Sequence, residues 1–406
     1  MLRSMYSGIS GMKNFQTKLD VIGNNIANVN TYGFKKGRVT FKDTMNQTIS
    51  GASASTANQG GKNPMQVGLG STLASIDIID TQSSLQTTGR PLDLAIDGDG
   101  YFIVKQGNQN LYTRAGNFYL DNNGTLVNSD GYKVQQYVNG TLKDIVVDVN
   151  SVLPAQMTKN ITIKGNFPLG NLTNPIKTEQ TQQVDIIDEN GQKHTLELKT
   201  STTDGQTWDL TFEDKTLNAP TPPATNSTTF KIKYDSANKK WINDSTNPLQ
   251  LNINKGDGTS KMIVNINLNN LTSDGTNLNV VYNPDGQTQG SLESFDIGAT
   301  GEINGVFSNG QNRTLGTLAM AKFSNPSGLQ KAGNNVYQAS VNSGTPNYGV
   351  PGNGNGSIAS GSLEMSNVDL SEEFTDMIVA QRGFQANTRI ITTSDEILQE
   401  LINLKH

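Results

Sequence analysis

Over the first 26 residues apolar side chains recur at alternating intervals of three and four: Leu2, Met5, Ile9, Met12, Leu19 and Ile26, with Gln16 and Gly23 breaking the series. At the other end Leu370, Phe374, Met377, Phe384, Ile391, Leu398 and Ile402 keep the same spacing, interrupted by Gln381, Thr388 and Asp395. Leu370, Met377, Phe384, Ile391 and Leu398 alone form a strict seven-residue series. This is the a/d stripe of a coiled-coil seam, and it predicts a long helix at each end of the chain. Asp369 and Glu372 have the capping-box spacing, Glu373 and Asp376 suit the positive end of the helix dipole, and Lys405 suits the other end. Taken singly, each stripe could equally lie on its own domain. Length favours pairing, because a helix over 370–404 runs about 52 Å at about 1.5 Å per residue, well beyond a small domain's diameter of about 30 Å.

Between the ends the period changes from helical to alternating. Leu73, Ile76 and Ile78, then Leu92 to Ile96, Tyr101 to Val104, Phe118 to Leu120 and Ile145 to Val147 predict strands across 71–148. Gln183 to Ile187 and Met262 to Val264 continue the pattern through 149–287, which also holds a Pro-rich turn at 219–224. Asn-Gly and Asp-Gly dipeptides, Asp97, Asn123, Asn139, Asn190 and Asn304 among them, fall only in this middle and favour the φ > 0 turns that close hairpins. Small polar runs at 44–66 and 352–361 read as flexible linkers. The fold class is therefore α+β: a terminal helical coiled-coil domain with mostly antiparallel β-domains between its halves.

Composition narrows the function. The 406 residues suggest two or three domains, and 34% hydrophobic with 17% charged residues excludes a charged disordered chain. No window approaches the roughly 18 apolar residues of a bilayer span, so membrane insertion is not expected. A net charge of −5 argues against a nucleic-acid partner. With no Cys, disulfides and thiol chemistry are excluded. The N-terminal residues lack the continuous apolar core of a secretory signal peptide, which leaves the cytoplasm or export by another route.

Candidate chemistry fails at each test. Asp97-Gly98-Asp99-Gly100 has Phe102 and Asn108 where a calcium loop needs Gly and Glu, and is expected to be a hairpin turn. Gly354-Asn355-Gly356-Ser357-Ile358-Ala359 matches a relaxed dinucleotide fingerprint but follows no strand. His194 and His406, the second at the C-terminus, are the chain's two histidines, which argues against a His-based triad or a two-His metal site within one chain; a solvated position is the default for His194. No catalytic, metal or cofactor site is expected, and the chain does not read as an enzyme. One reading from another class remains, a secreted β-rich carbohydrate-binding protein using Trp208 and Trp241 as stacking platforms.

The run Leu19 to Lys35, LDVIGNNIANVNTYGFK, resembles the N-terminal signature of flagellar rod and hook proteins through Asn24, Asn25, Ala27, Asn28, Gly33 and Phe34. Ser366 to Ser371, with Asn367 and Asp369, followed by Met377 to Arg382, with Gln381 and Arg382, resembles that family's C-terminal signature. Gly89 to Ile96 with Gly100-Tyr101-Phe102 resembles a third shared block. Tyr32 and the large insertion 149–287 favour the hook branch over the rod branch, and hook-associated or junction proteins are the alternative within the system. Gly383-Phe384 departs from the usual pattern, in which Tyr is common at the second position. Gly383 costs about 1 kcal/mol in a helix interior and marks a close helix approach or a bend.

The resemblance implies nested layers. Residues 1–30 and 368–406 would form the inner coiled coil, whose seam residues would carry subunit contacts. Residues 31–70 and 355–367 would connect it to a middle β-domain of 71–148 and 288–354, with 149–287 an outer inserted β-domain. It further implies self-assembly into a curved hollow tube that transmits torque, and unfolded export through a type III apparatus to an extracellular position on the flagellum. Rod, cap and hook-filament junction proteins would be its neighbours.

Overall fold

The computed structural model describes residues 2–55, 59–169, 179–215, 227–244, 248–254, 261–274, 277–352 and 354–404. The Pro-rich turn at 219–224, Lys405 and His406 lie outside the described residues, as does the side chain of Leu2. The chain forms two compact units. One comprises Met1–Asp148, Phe295–Asn304 and Thr314–His406; the other comprises Val149–Ser294 and Gly305–Arg313.

In the first unit a helix runs at each end of the sequence, α1 (Leu2–Ala27) and α2 (Leu370–Asn403), and the elements described between them are strands apart from one short 3-10 turn, Pro326–Gly328. The main sheet is ordered Gln330–Gly333, Val336–Gln338, Gln109–Thr113, Tyr101–Gln106, Lys133–Val138, Leu126–Val127 and Tyr119–Leu120. Its core is aromatic: Tyr101 meets Phe323 and Tyr337 edge-on at 5.9 and 5.8 Å, and Tyr112 meets Phe323 at 4.7 Å. Such edge-to-face pairs add to the burial of large apolar rings. Asn139-Gly140 closes Lys133–Val138 onto Thr141–Asp144 with φ of 50° and 80°, the two-residue turn its sequence predicts.

Asp97-Gly98-Asp99-Gly100 is not a hairpin turn. The strands flanking it pair elsewhere, Leu94–Asp97 with Ser357–Ser360 and Tyr101–Gln106 with Gln109–Thr113. Gln82 holds the loop from both sides, accepting from Gly98 N at 2.9 Å and donating to Asp97 Oδ1 at 3.0 Å. Asn304 likewise sits inside the strand Glu302–Phe307 rather than in a turn. The small polar runs are also more ordered than their composition suggests. Ser357–Ser360 is a strand with Ile358 buried, and Ser362–Glu364 pairs with Leu85–Thr87. Within 44–66, Asn46–Ser50 pairs with Met65–Gly68, and every residue of both strands is exposed. Backbone pairing forms these strands without an apolar side-chain pattern to announce them.

The second unit has one core fed by two sheets. Glu179–Ile187, Lys193–Ser201, Thr207–Asp214, Ser227–Asp235 and Lys240–Asn243 form an antiparallel meander. Gln250–Asn254, Lys261–Thr272, Asn160–Asn166 and Asn279–Pro284 form the other sheet, in which Asn160–Asn166 runs parallel to Lys261–Thr272. Strict alternation puts Leu196, Leu198, Trp208, Leu210 and Phe212 inside.

Two sequence readings are corrected here. Trp208 is fully buried and Trp241 5% exposed, with Phe167 lying 5.4 Å from each, so neither is a stacking platform for a glycan. His194 is buried, not solvated. It shares the inward parity of Leu196 and Leu198, and its imidazole lies between Asp188 (Nε2 to Oδ2, 3.6 Å) and Asp214 (Nδ1 to Oδ2, 3.7 Å).

Candidate functional site

Both signatures and both heptad stripes converge on the terminal helices. Asp369 caps α2, its Oδ1 accepting from Ser371 N at 2.8 Å and Glu372 N at 3.4 Å, and this satisfies amides that the first turn leaves open. Glu372 does not complete a reciprocal box; its carboxylate instead takes a hydrogen bond from Lys36 Nζ at 2.6 Å.

The helices pack antiparallel. Ser4 faces Ser394 (Oγ to Oγ, 3.4 Å), Thr388 Oγ1 donates to Met12 Sδ at 3.4 Å, and Lys18 pairs with Asp376 at 3.2 Å. Asn25 Nδ2 donates to Glu373 Oε2 at 3.2 Å, both groups buried. Burial pushes the Glu373 carboxyl above its ordinary range, and the Asn25 hydrogen bond opposes that shift.

The row of α2 that faces α1 differs from the sequence expectation on one flank. Met377, Phe384, Ile391 and Leu398 are half-buried, and they alternate with Glu373, Ala380, Asn387 and Ser394. Phe374, Gln381, Thr388 and Asp395 are exposed. Close approach explains the choice of small residues. A methyl group on Gly11 would lie 2.7 Å from Asn387 Oδ1, and one on Gly383 would lie 2.4 Å from Phe15 Cζ. On α1, Met5, Met12, Leu19 and Ile26 are half-buried, while Ile9 is exposed. Ile22, which the stripe omits, is buried. Ile402 stays exposed because α1 has already run out, Ser394 lying opposite Ser4.

Among the described residues this leaves several apolar side chains of α2 largely exposed. Phe374 and Ile378 line one side of the α1-facing row, with Leu370 exposed at its head, and Val379, Ile390 and Ile397 line the other; all six are at least 40% exposed. At about 100° per residue these are two separate stripes, so α2 presents three apolar faces, of which α1 covers one.

The remaining signature residues shape the junction between helices and sheet. Gly33 takes φ of 68°, and its amide donates to Glu364 O at 2.8 Å. Phe34 is buried beneath Lys331, whose ammonium sits 4.5 Å from the ring centre. Asn367 Oδ1 accepts from Lys36 N at 2.7 Å, and its Nδ2 donates to Ile79 O at 2.8 Å. Asn24 O accepts from Asn28 N and from Asn28 Nδ2, closing the end of α1, whereas Ala27, Gln381 and Arg382 are exposed. Sequence reasoning gave no role to Lys35, Arg114 or Glu364, three charges that are almost wholly buried here. Lys35 stood in a quoted motif, but nothing local announces that a lysine is buried.

Three family models match the chain. They are a flagella basal body rod protein model over 5–35, a flagellar hook protein FlgE/F/G D1 domain model over 95–169, and a flagellar basal body rod FlgEFG protein C-terminal model over 359–404. Helices from both ends of one chain packed against each other, with a β-rich stretch between them in sequence and family matches at all three places, define a protein of the flagellar rod and hook class. The chain is 38% identical to the flagellar hook protein FlgE of Borreliella burgdorferi, covering 100% of both chains. It is 33% identical to FlgE of Salmonella typhimurium over 99% of this chain and 100% of the relative. It is also 40% identical to the flagellar basal-body rod protein FlgG of Bacillus subtilis, again over 100% of both. The crystal structure of Helicobacter pylori flagellar hook protein FlgE2 shares the fold, with a TM-score of 0.54 at 16% identity over 69% of this chain and 100% of that one. The chain belongs to the flagellar hook protein FlgE family.

Proposed function

We propose that this protein is a structural subunit of the flagellar hook, a helical polymer of one chain that acts as a curved, hollow universal joint between rod and filament. It is a structural part, not an enzyme. The observation that carries the reading is the pair of uncovered apolar stripes on α2, Phe374–Ile378 and Val379–Ile390–Ile397, beside the face that α1 already fills. A helix with three apolar faces and one partner in its own chain needs neighbouring copies to bury the other two. In this reading α1 and α2 are the inner coiled-coil layer of the tube, and the seam residues hold the helices together while the stripes meet adjacent subunits. Residues 71–148 and 288–354 form the layer around it, and 149–287 the outermost one. The subunit is exported unfolded by the flagellar type III apparatus and works outside the cell against rod, cap and hook-filament junction proteins.

A second reading, a rod subunit, is favoured by the similarity to the Bacillus subtilis rod protein. Immunogold labelling of purified hook–basal bodies separates the two. Label along the curved hook supports the first reading, and label confined to the straight rod supports the second.

A further inference from the structure

The junction between the helices and the sheet holds a buried ion cluster that draws on four separate segments of the chain. Lys35 Nζ, itself inaccessible to solvent, donates to Glu364 Oε1 at 2.7 Å and to Thr81 O at 2.8 Å, with Asp80 Oδ1 at 4.0 Å. Arg114 Nη1 donates to Glu364 Oε2 at 3.2 Å and Nη2 to Gly98 O at 2.9 Å, with its guanidinium 5.3 Å from the centre of the Tyr101 ring. Ser83 N donates to Glu364 Oε1 at 3.2 Å. Burial drives the Lys35 ammonium below its usual range, and Glu364 pulls it back. Around the charges the backbone repeats the connection. Gly33 N donates to Glu364 O at 2.8 Å, Asn367 N to Phe34 O at 3.4 Å, and Ser83 Oγ to Ser366 O at 2.9 Å.

One carboxylate thus satisfies a lysine from the segment that follows α1 and an arginine from the central sheet, while itself belonging to the segment that precedes α2. A charge buried without its partner is strongly destabilising, far more so than an intact pair is stabilising. Docking the N-terminal segment alone would bury Lys35 with only Thr81 O and the distant Asp80 beside it, and docking the C-terminal segment alone would leave Glu364 with Arg114 but without the lysine, so a half-docked state is disfavoured. We infer that the Lys35–Glu364–Arg114 cluster is a latch that makes the docking of the two chain ends onto the central sheet one all-or-none event. The latch fixes where α1 ends and α2 begins relative to each other and to the strand Gln109–Thr113, before any contact along the helices is counted.

Hydrogen exchange of the full chain in increasing, sub-denaturing urea tests the latch. The peptides covering 28–37, 362–369 and 101–114 are expected to share one exchange isotherm; separate isotherms for 28–37 and 362–369 would overturn the inference. Variants give a second readout. Lys35→Met should raise exchange at 362–369, and Glu364→Gln at 28–37, by about tenfold or more, each across the junction from the changed residue. Exchange raised only around the substituted position contradicts the latch. The double variant should unfold at a urea midpoint no lower than the weaker single variant, whereas additive losses would show the two residues to be independent.

Discussion

Asn25 and Glu373 hold each other across the helix pair, the amide donating to a buried carboxyl at 3.2 Å, and Asn25 also ties Gly37 through both its side-chain atoms. Burial keeps the Glu373 carboxyl above its ordinary 4.5. A group raised in the folded state gives its full stabilisation below its unfolded value and loses it as the pH climbs through its folded value. Glu373→Gln keeps an acceptor for Asn25 and removes that titration. Subtracting the wild-type thermal midpoint from that of the variant, between about pH 4 and about pH 8, should give a difference that grows in the variant's favour with pH. A flat difference would mean that Glu373 does not titrate in the folded protein as its burial requires. Asn25→Ala, which strips the carboxyl of its donor, should cost about 1–3 kcal/mol at neutral pH.

Gly383 of α2 packs against the Phe15 ring of α1. An exposed helical Gly→Ala change usually stabilises by about 1 kcal/mol. Here the added methyl meets the Phe15 ring, so Gly383→Ala should destabilise by about 1–3 kcal/mol. Combining it with Phe15→Leu should recover part of the loss. Additivity in a double-mutant cycle on urea midpoints would show that the two positions do not touch.

Gly33 sits at a φ of 68°, and a methyl group there would lie 2.6 Å from the backbone of Arg114 and Ala115. Backbone, unlike a side-chain tip, has nowhere to move. Gly33→Ala should therefore cost about 2 kcal/mol or more in chemical denaturation, and a loss within about 0.5 kcal/mol of zero would contradict the geometry.

The two stripes on α2 make the clearest separation between folding and assembly. Ile390→Asp and Ile397→Asp alter side chains that are 44% and 45% exposed and outside the buried core, so the thermal midpoint of the monomer should stay within about 2 °C of wild type. Sedimentation of the same variants should show polymerisation abolished. Normal polymers would remove the stripes from the interface.

Trp208 is buried against Phe167 in the core of the second unit. Trp208→Ala should destabilise that unit by about 3–5 kcal/mol. Glycan arrays on the wild type should show no signal that depends on this side chain.

Periodicity made the helices and half of their seam legible. Met377, Phe384, Ile391 and Leu398, picked out by their seven-residue spacing, are half-buried on α2. The other half escaped because Gly11 and Phe15 of a distant segment, not the hydrophobicity of α2, decide which flank packs, and small residues win at a close approach. Trp208 and His194 stand on inward-facing positions that the sequence reading missed, and following the alternation of their strands strictly would have placed both in the core. Lys35, Arg114 and Glu364 left no such trace. They are polar residues in polar runs, and their burial arises from the meeting of segments as far apart as 35 and 364. The strands at 46–50 and 357–360 were hidden for the opposite reason, since backbone pairing made them without an apolar pattern.

The central claim is that this chain completes its core by joining copies of itself. Electron microscopy of the purified full chain under polymerising conditions tests it most directly. The account predicts hollow tubes with a single defined helical repeat, lost in Ile390→Asp. Wild-type protein that stays monomeric, or forms aggregates with no repeat, would contradict it.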